Sequence, residues 1–410
     1  MAVFVTAMGP TRTISEGLLA AAERMGLSVV VLTNQPHAHH VAYADSAVGP
    51  LAVERVDVRN AEAIAACVLA LSDRHGRPDG LLSNSDCLQP ATALAANLLS
   101  LPGKTWRATV CCVNKALTRW ALAEAGLDHV VSVELGPDDD IRPKVEVAGF
   151  PFPAVVKPRE GVTSKDVWRV EDAGELEVRV ARIRARRGRV PLVVEEYLPG
   201  PIHTYETLGD GRNLYHFSSW RCTLGAPPWN TTLGLRDWAP DLPAPVEEHL
   251  RAQLQALGVS FGACHTEFVV DGDRARIIEV NYRLLGDGMD FLCCDLLGVD
   301  LFAEVIRVSL GQPLRTDLPC VQQLQRHARI ALIVADSAGT LTTAPPSSTA
   351  VLSGGTCLAH HRLREPGRRA PLHHDSRDFL ATVHATGPTQ DDVHTAVDNF
   401  LATHNWDMNT

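Results

Sequence analysis

The segment FGACHTEFVVDGDRARIIEVNYRLLGDG, from Phe261 to Gly288, constrains this chain more than any other stretch. Its DGD turn at Asp271 to Asp273 lies between two runs of alternating apolar residues, the pattern of an antiparallel hairpin. With a three- or five-residue loop, cross-strand partners carry numbers that sum to an even value. Glu267 and Glu279 then share a face, opposite or diagonal to one another. Asn281, two residues on, joins them. Glu279 stands between Ile277-Ile278 and Val280, so its strand reads as buried, and a buried carboxylate must be paired or metal-bound. Three oxygen donors with no Cys or His in register suit Mg²⁺ (or Mn²⁺), which takes water and substrate phosphates as its remaining ligands. Arg283, on the same parity, can clamp a phosphoryl or carboxylate group. Together these residues point to phosphoryl transfer from a magnesium nucleotide.

The rest of the chain narrows the class. A length of 410 residues allows two or three domains. A formal net charge of -10 and a pI near 5.9 argue against a nucleic-acid partner, which needs a basic stripe. The basic run Arg179 to Val190 reads as a solvated helix or a lid near phosphates. The ten cysteines include adjacent pairs at Cys111-Cys112 and Cys293-Cys294 but no CxxC, which suits reduced thiols in a cytoplasmic protein. No leader pattern and no apolar run of membrane length is seen.

The opening AVFVTAMGPTRTISEGLLAAAERMGLSVVVLTN reads as strand, Gly-Pro loop, amphipathic helix and strand, the start of a parallel α/β sheet. Its first loop lacks GxGxxG, which removes support for a dinucleotide fold. Helices are predicted at Ala61 to His75, Pro90 to Leu99 and Asn114 to Ala125, the last capped by Asn114 and Gly126. Gly136 to Val147 reads as a connection. A second α/β unit follows through VVKPREGVTSKDVWRV and LVVEEYL, and a third spans Thr204 to Gly311. Beyond Pro313, short β runs and a helix at Thr389 to Ala402 suggest a small α+β subdomain. The domains expected are 1–110, 111–312 with a lid at about 148–195 and a catalytic part at about 196–312, and 313–410.

Lys157 ends an apolar strand and precedes a loop with Gly161, Thr163, Ser164 and Lys165, a geometry that can hold α- and β-phosphates under a flexible cover. Glu195, Glu196, Tyr197 and Leu198 end another apolar strand, which can offer main-chain groups to an adenine edge. Lys115, Lys157 with its loop, this hinge, Glu267 and Glu279-x-Asn281-x-Arg283 come in an order that resembles the ATP-grasp superfamily, above all its carboxylate-amine ligases such as L-amino acid ligases. The resemblance covers about Pro78 to Arg307. It implies an ATP-grasp fold with a pre-ATP parallel-sheet domain, phosphate contacts from Lys115 and Lys157, adenine contacts from Glu195 to Leu198, and Mg²⁺ ligation by Glu267, Glu279 and Asn281. It implies further that Arg283 stabilises an acyl phosphate and a tetrahedral intermediate. ATP, Mg²⁺ and small carboxylate and amine substrates, an amino acid among them, are the ligands implied, with amide formation releasing ADP and phosphate.

Two departures stand out. The family's ribose-binding Glu is replaced by Gly200-Pro201-Ile202-His203, which leaves Glu206 as the candidate. Its Gly-Gly substrate loop becomes Leu284-Leu285-Gly286-Asp287-Gly288, where Asp287 can bind an ammonium group. His203, His216 and His265 are candidates for positioning the amine. His37, His39 and His40 read as loop residues near the cleft. The aromatic stretch Arg221 to Trp238 reads as a loop shaping the acceptor pocket. A natural-product pathway and a homodimer complete the expectations. The alternatives are an ATP-grasp carboxylase or phosphotransferase, and a nucleotide sensor without catalysis.

Overall fold

The computed structural model describes residues 2–44, 46–147, 149–162, 164–223, 234–373 and 376–409. Thr163, Pro227, Pro228 and Trp229 lie outside the described residues. The chain begins with a four-stranded parallel sheet, in spatial order Ala52–Arg55, Ser28–Thr33, Ala2–Ala7 and Pro78–Ser83. Near-continuous Val, Leu and Ala runs form it because both faces are covered. Val3, Val5, Val29 and Val31 pack into one core, while Phe4, Val30, Leu32 and Val68 enter another with the helix Ala61–His75. The three histidines placed in a loop lie instead on a helix, Pro36–Tyr43, begun by a proline at its first position. His39 there is buried and bonds the Tyr43 hydroxyl at 3.0 Å. The supposed connection before Phe150 also contains a helix, Ile141–Val147.

A second sheet orders Ser132–Leu135, Leu192–Glu196, Ala154–Pro158 and Trp168–Val170, all antiparallel, under the basic helix Ala173–Arg187. The helix buries Leu176, Val180 and Ile183 against this sheet, and Arg186 and Arg187 pair with the buried Asp166. Its charge is thus partly held by the protein itself.

The largest sheet has nine strands and joins the central region to the C-terminal one. Its order is Arg274–Asn281, Phe261–Asp271, Ile202–Asp210, Leu214–Cys222, Leu235–Trp238, His327–Val334, Phe379–Gly387, Cys357–Arg362 and Ser348–Val351. One face carries Tyr205, Cys264, Phe268, Ile277 and Val280 into a core closed by the helix Ala244–Ala256. The other carries Leu208, Trp220, Trp238 and Ala263 against the helices Met289–Leu297 and Leu301–Ser309 and the N-terminal region.

The hairpin departs from the loop length expected of it. Asp271 pairs with Arg274, so the loop is the two residues Gly272 and Asp273, with Gly272 at φ +59°. A two-residue loop alone would set Glu267 opposite Ile278. A β-bulge at Ile278 shifts the register by one, and Glu267 faces Glu279 while His265 faces Asn281.

His203 and His216 project from the opposite face to these carboxylates. His203 lies against Phe268, and His216 stacks on Tyr205 with ring centroids 4.3 Å apart. Neither can position an amine at Glu267. Burial pushes the His216 imidazole down to about 4 from 6.5. Its unfolded form takes up a proton first as the pH falls, so its contribution to stability is complete above about pH 6.5 and lost on the way to pH 4. Replacing His216 by Gln should narrow the difference in unfolding free energy between pH 7.5 and pH 4.5 by about 2 kcal/mol. Urea titrations of both proteins at both pH values measure it, and an unchanged difference refutes the assignment.

Candidate active site

The site forms where the hairpin meets the end of the second sheet. The helix Lys115–Glu124 opens beside it, capped by Asn114, whose side chain accepts from Leu117 N at 3.1 Å. Arg119, one turn in, is buried and grips Glu195 through two bonds of 2.9 Å. Its guanidinium also donates to the carbonyls of Ile277 and Ile278, the latter at 3.3 Å. The bulge therefore serves a second purpose, aiming two carbonyls at one arginine. Lys157 Nζ lies 2.8 Å from Glu195 and 3.4 Å from the Ile278 carbonyl. Burial opposes the charge on Glu195, yet Arg119 and Lys157 hold its carboxyl down to about 2. Burial likewise lowers Lys157, offset in part by Glu195.

Around these charges opens a cleft lined by Lys157, Ser164, Arg169, Tyr197, Leu198 and Ile202 with Glu267 and Glu279 at its end. The hinge side chains are engaged by the protein: Glu195 as above, and Glu196 by Val131 N at 3.1 Å and Arg276 at 3.0 Å. Tyr197 N donates to the Pro153 carbonyl at 3.0 Å, and the Tyr197 ring lies under Arg169 at 4.4 Å. Among the described residues the Leu198 N–H donates to nothing, which leaves it available to a base edge. Lys115 Nζ sits 2.9 Å from the Gly161 carbonyl and 3.0 Å from Glu279 Oε1. It links the loop after Pro158, where Ser164 takes φ +53°, to the hairpin carboxylates.

Glu206 does not line the cleft. Fully buried, it bonds His265 Nδ1 at 2.8 Å, while His265 Nε2 lies 3.3 Å from Glu267 Oε1. The ribose role is thus corrected: Ile202 stands in the cleft and Glu206 holds a histidine. Burial disfavours the charged imidazole, but the two glutamates push His265 up to about 10. Burial also opposes ionisation of Glu267, and the His265 bond and charge bring its carboxyl below the usual range.

Glu267, Glu279 and Asn281 supply oxygen donors from one face, with each carboxylate side chain about 20% exposed. Among the described residues no three His, Cys, Asp or Glu side chains cluster as a metal site on their own. Two carboxylates and an amide fit Mg²⁺, which leaves its other positions to water and phosphate. Arg283 donates from Nε to Asp86 at 2.7 Å and from Nη1 to the Leu284 carbonyl at 2.6 Å. Asp86 belongs to the N-terminal region, so the arginine is fixed across the interface. Gly286, Asp287 and Gly288 form the loop before the helix Met289–Leu297, with Asp287 exposed and at φ +60°.

The fold of this chain is the ATP-grasp fold. Residues 19–103 match the ATP-grasp N-terminal domain. The fold is that of L-amino acid ligase from Bacillus licheniformis, with a TM-score of 0.78 at 20% identity over 100% of this chain and 99% of that one. Phosphoribosylglycinamide synthetase from Anaerococcus prevotii gives 0.72 at 14% identity, over 100% and 99%. In sequence the chain is 25% identical to the uncharacterized protein y4rH of Sinorhizobium fredii, over 97% of this chain and 81% of that protein. It is 26% identical to human carnosine synthase 1 over 67% of this chain and 35% of that protein.

The buried charge cluster yields a stability test. Glu195→Gln leaves Arg119 and Lys157 without their carboxylate, so unfolding free energy should fall by roughly 3–5 kcal/mol. Denaturant melts measure it, and a loss below about 1 kcal/mol, the scale of a surface pair, refutes the pairing.

Proposed function

We propose that this chain is an ATP-dependent carboxylate-amine ligase that activates an acid as its acyl phosphate, couples it to an amine and releases ADP and phosphate. The observation that carries this reading is the facing pair Glu267 and Glu279 at the end of a cleft, with Lys157 in its wall, Lys115 bonded to Glu279 and Arg283 acting by charge on both glutamates. The similarity to an L-amino acid ligase and to carnosine synthase supports an amide as product and an amino acid among the substrates.

A carboxylate is a poor acyl donor until one oxygen is phosphorylated. Glu267, Glu279 and Asn281 would hold Mg²⁺, which when bound neutralises phosphate charge and orients the γ-phosphoryl group. Lys157 and Lys115 hold the phosphate chain, and the Gly161 to Ser164 loop covers it. Arg283, fixed by Asp86, presents its guanidinium to the charge that develops at the acyl centre. The amine then attacks the acyl carbon, the C–N bond forms, the C–O bond to phosphate breaks, and orthophosphate leaves. Closure of the loop keeps water from the acyl phosphate.

Incubation with ATP, Mg²⁺ and pools of carboxylic and amino acids, read by mass spectrometry, should give an amide with matching ADP and phosphate. Hydroxylamine in place of the amine should trap the acid as its hydroxamate. AMP formed in step with product, or ADP released with bicarbonate and no amine, overturns the reading.

Two variants test the assigned roles. Glu279→Gln should abolish turnover at millimolar Mg²⁺ while its melting curve stays cooperative, since a ligand charge is lost and the shape kept. Near-normal turnover refutes the ligand role. Arg283→Ala should depress kcat by on the order of 10²-fold, far more than it raises KM for ATP. Equal effects on the two constants would place the arginine in nucleotide binding.

A further inference from the structure

The face of the large sheet that bears Glu267 continues beyond the metal donors. Glu267 pairs with Thr204, and His265 with Glu206, on the next strand; Thr204 pairs with Trp220, Trp220 with Trp238, and Cys222 with Arg236. Alternation puts Arg236 and Trp238 on that same face. Both are buried, and Arg236 is only 8% exposed.

Among the described residues the Arg236 guanidinium has a single hydrogen bond, from Nη1 to the Met289 thioether at 2.7 Å. Its Nε has no partner, and among the described residues no carboxylate lies within ion-pairing distance. The contrast with Arg119, equally buried, is sharp: that guanidinium has Glu195 and two carbonyls. The acids whose charge acts on Arg236 are Asp287, Glu267 and Glu206, and none of them pairs with it: Asp287 stands exposed, and Glu267 and Glu206 both bond His265. The indole N–H groups of Trp220 and Trp238 are buried without acceptors as well. This face thus holds a buried guanidinium with no carboxylate partner and two buried indole N–H groups without acceptors, and burying a cation unpaired is costly. A planar guanidinium is the shape that takes a carboxylate.

Arg236 does not line the nucleotide cleft, whose wall on this side includes Ile202. Along the sheet it stands three strands from Glu267, about 14 Å at a spacing of about 4.8 Å, while its charge still acts on Glu267. We propose that Arg236 binds a second carboxylate of the substrates, one that is not phosphorylated. It rests on the ligase reading only in calling the other carboxylate the activated one. The second carboxylate comes either from an amino acid acting as the amine or from the distal end of a dicarboxylic acid.

The test uses the full chain with MgADP and measures ligand retained after ultrafiltration by mass spectrometry. One pair of pools is proteinogenic L-amino acids against their carboxamides; the other is short dicarboxylic acids against their half-amides. In one pair the carboxylate members should be retained in preference by about tenfold or more, which identifies the source. Arg236→Met, of similar volume, should abolish that preference while MgADP affinity is unchanged, and Arg236→Lys should keep part of it. If Arg236→Met does not fold, the preference in the unaltered protein and its reduction in Arg236→Lys decide the matter. No preference in either pair, or an equal loss for both members in the Met variant, overturns the proposal. A preference without ligation product from the same pools counts against the ligase reading alone. Product formed equally from carboxylate and carboxamide counts against Arg236 alone.

Discussion

Glu195, held between Arg119 and Lys157, is the interaction on which the site depends. Each of the three comes from a different element: the helix Lys115–Glu124, the strand Leu192–Glu196 and the strand Ala154–Pro158. Removed from water, such charges are tolerable only when their geometry is satisfied. Lys115 adds a second pair with Glu279, and the cleft these pairs border is lined by carboxylates and cations together.

The second constraint is register. A strand that slips by one residue turns all its side chains over. Had the hairpin run regularly from its two-residue loop, Glu279 and Asn281 would have entered the apolar core with Ile277. The extra residue at Ile278 prevents this and turns its carbonyl toward Arg119 and Lys157. A local irregularity thus sets both the carboxylate pair and the contacts beneath it.

Most of the architecture was legible because it rests on local signals. The valine runs of the first sheet, the Asn114 cap, the DGD turn and the basic helix each carry their signal within a few residues. The shared face of Glu267 and Glu279 was reached through a loop of the wrong length, which the bulge then offset; nothing in IIEV announces a bulge. Glu206 was offered for the ribose because Gly200 to His203 has no glutamate, while its pairing with His265 depends on strand neighbours 59 residues apart. Arg236 was passed over inside an aromatic stretch that read as a loop. Its face is defined only once the strand Leu235–Trp238 is known to pair with Leu214–Cys222.

The interface with the N-terminal region shows why long-range partners matter to chemistry as well as to folding. Arg283 is followed by Leu284, whose N–H donates to Asn84 Oδ1 at 3.1 Å, and Arg283 itself bonds Asp86, 197 residues away. Lys104 enters from the same side, bonding the Tyr282 carbonyl and Gln89 Oε1 with its ammonium over the Tyr282 ring. Burial brings Lys104 down to about 8, so at neutral pH it remains charged and the bonds hold. Tyr282, Arg283 and Leu284 are thereby fixed from outside their own sheet, in the turn that follows Asn281. An arginine has a long side chain with many rotamers, and anchoring to Asp86 removes that freedom in advance. The N-terminal region therefore orients Arg283 from outside its own sheet.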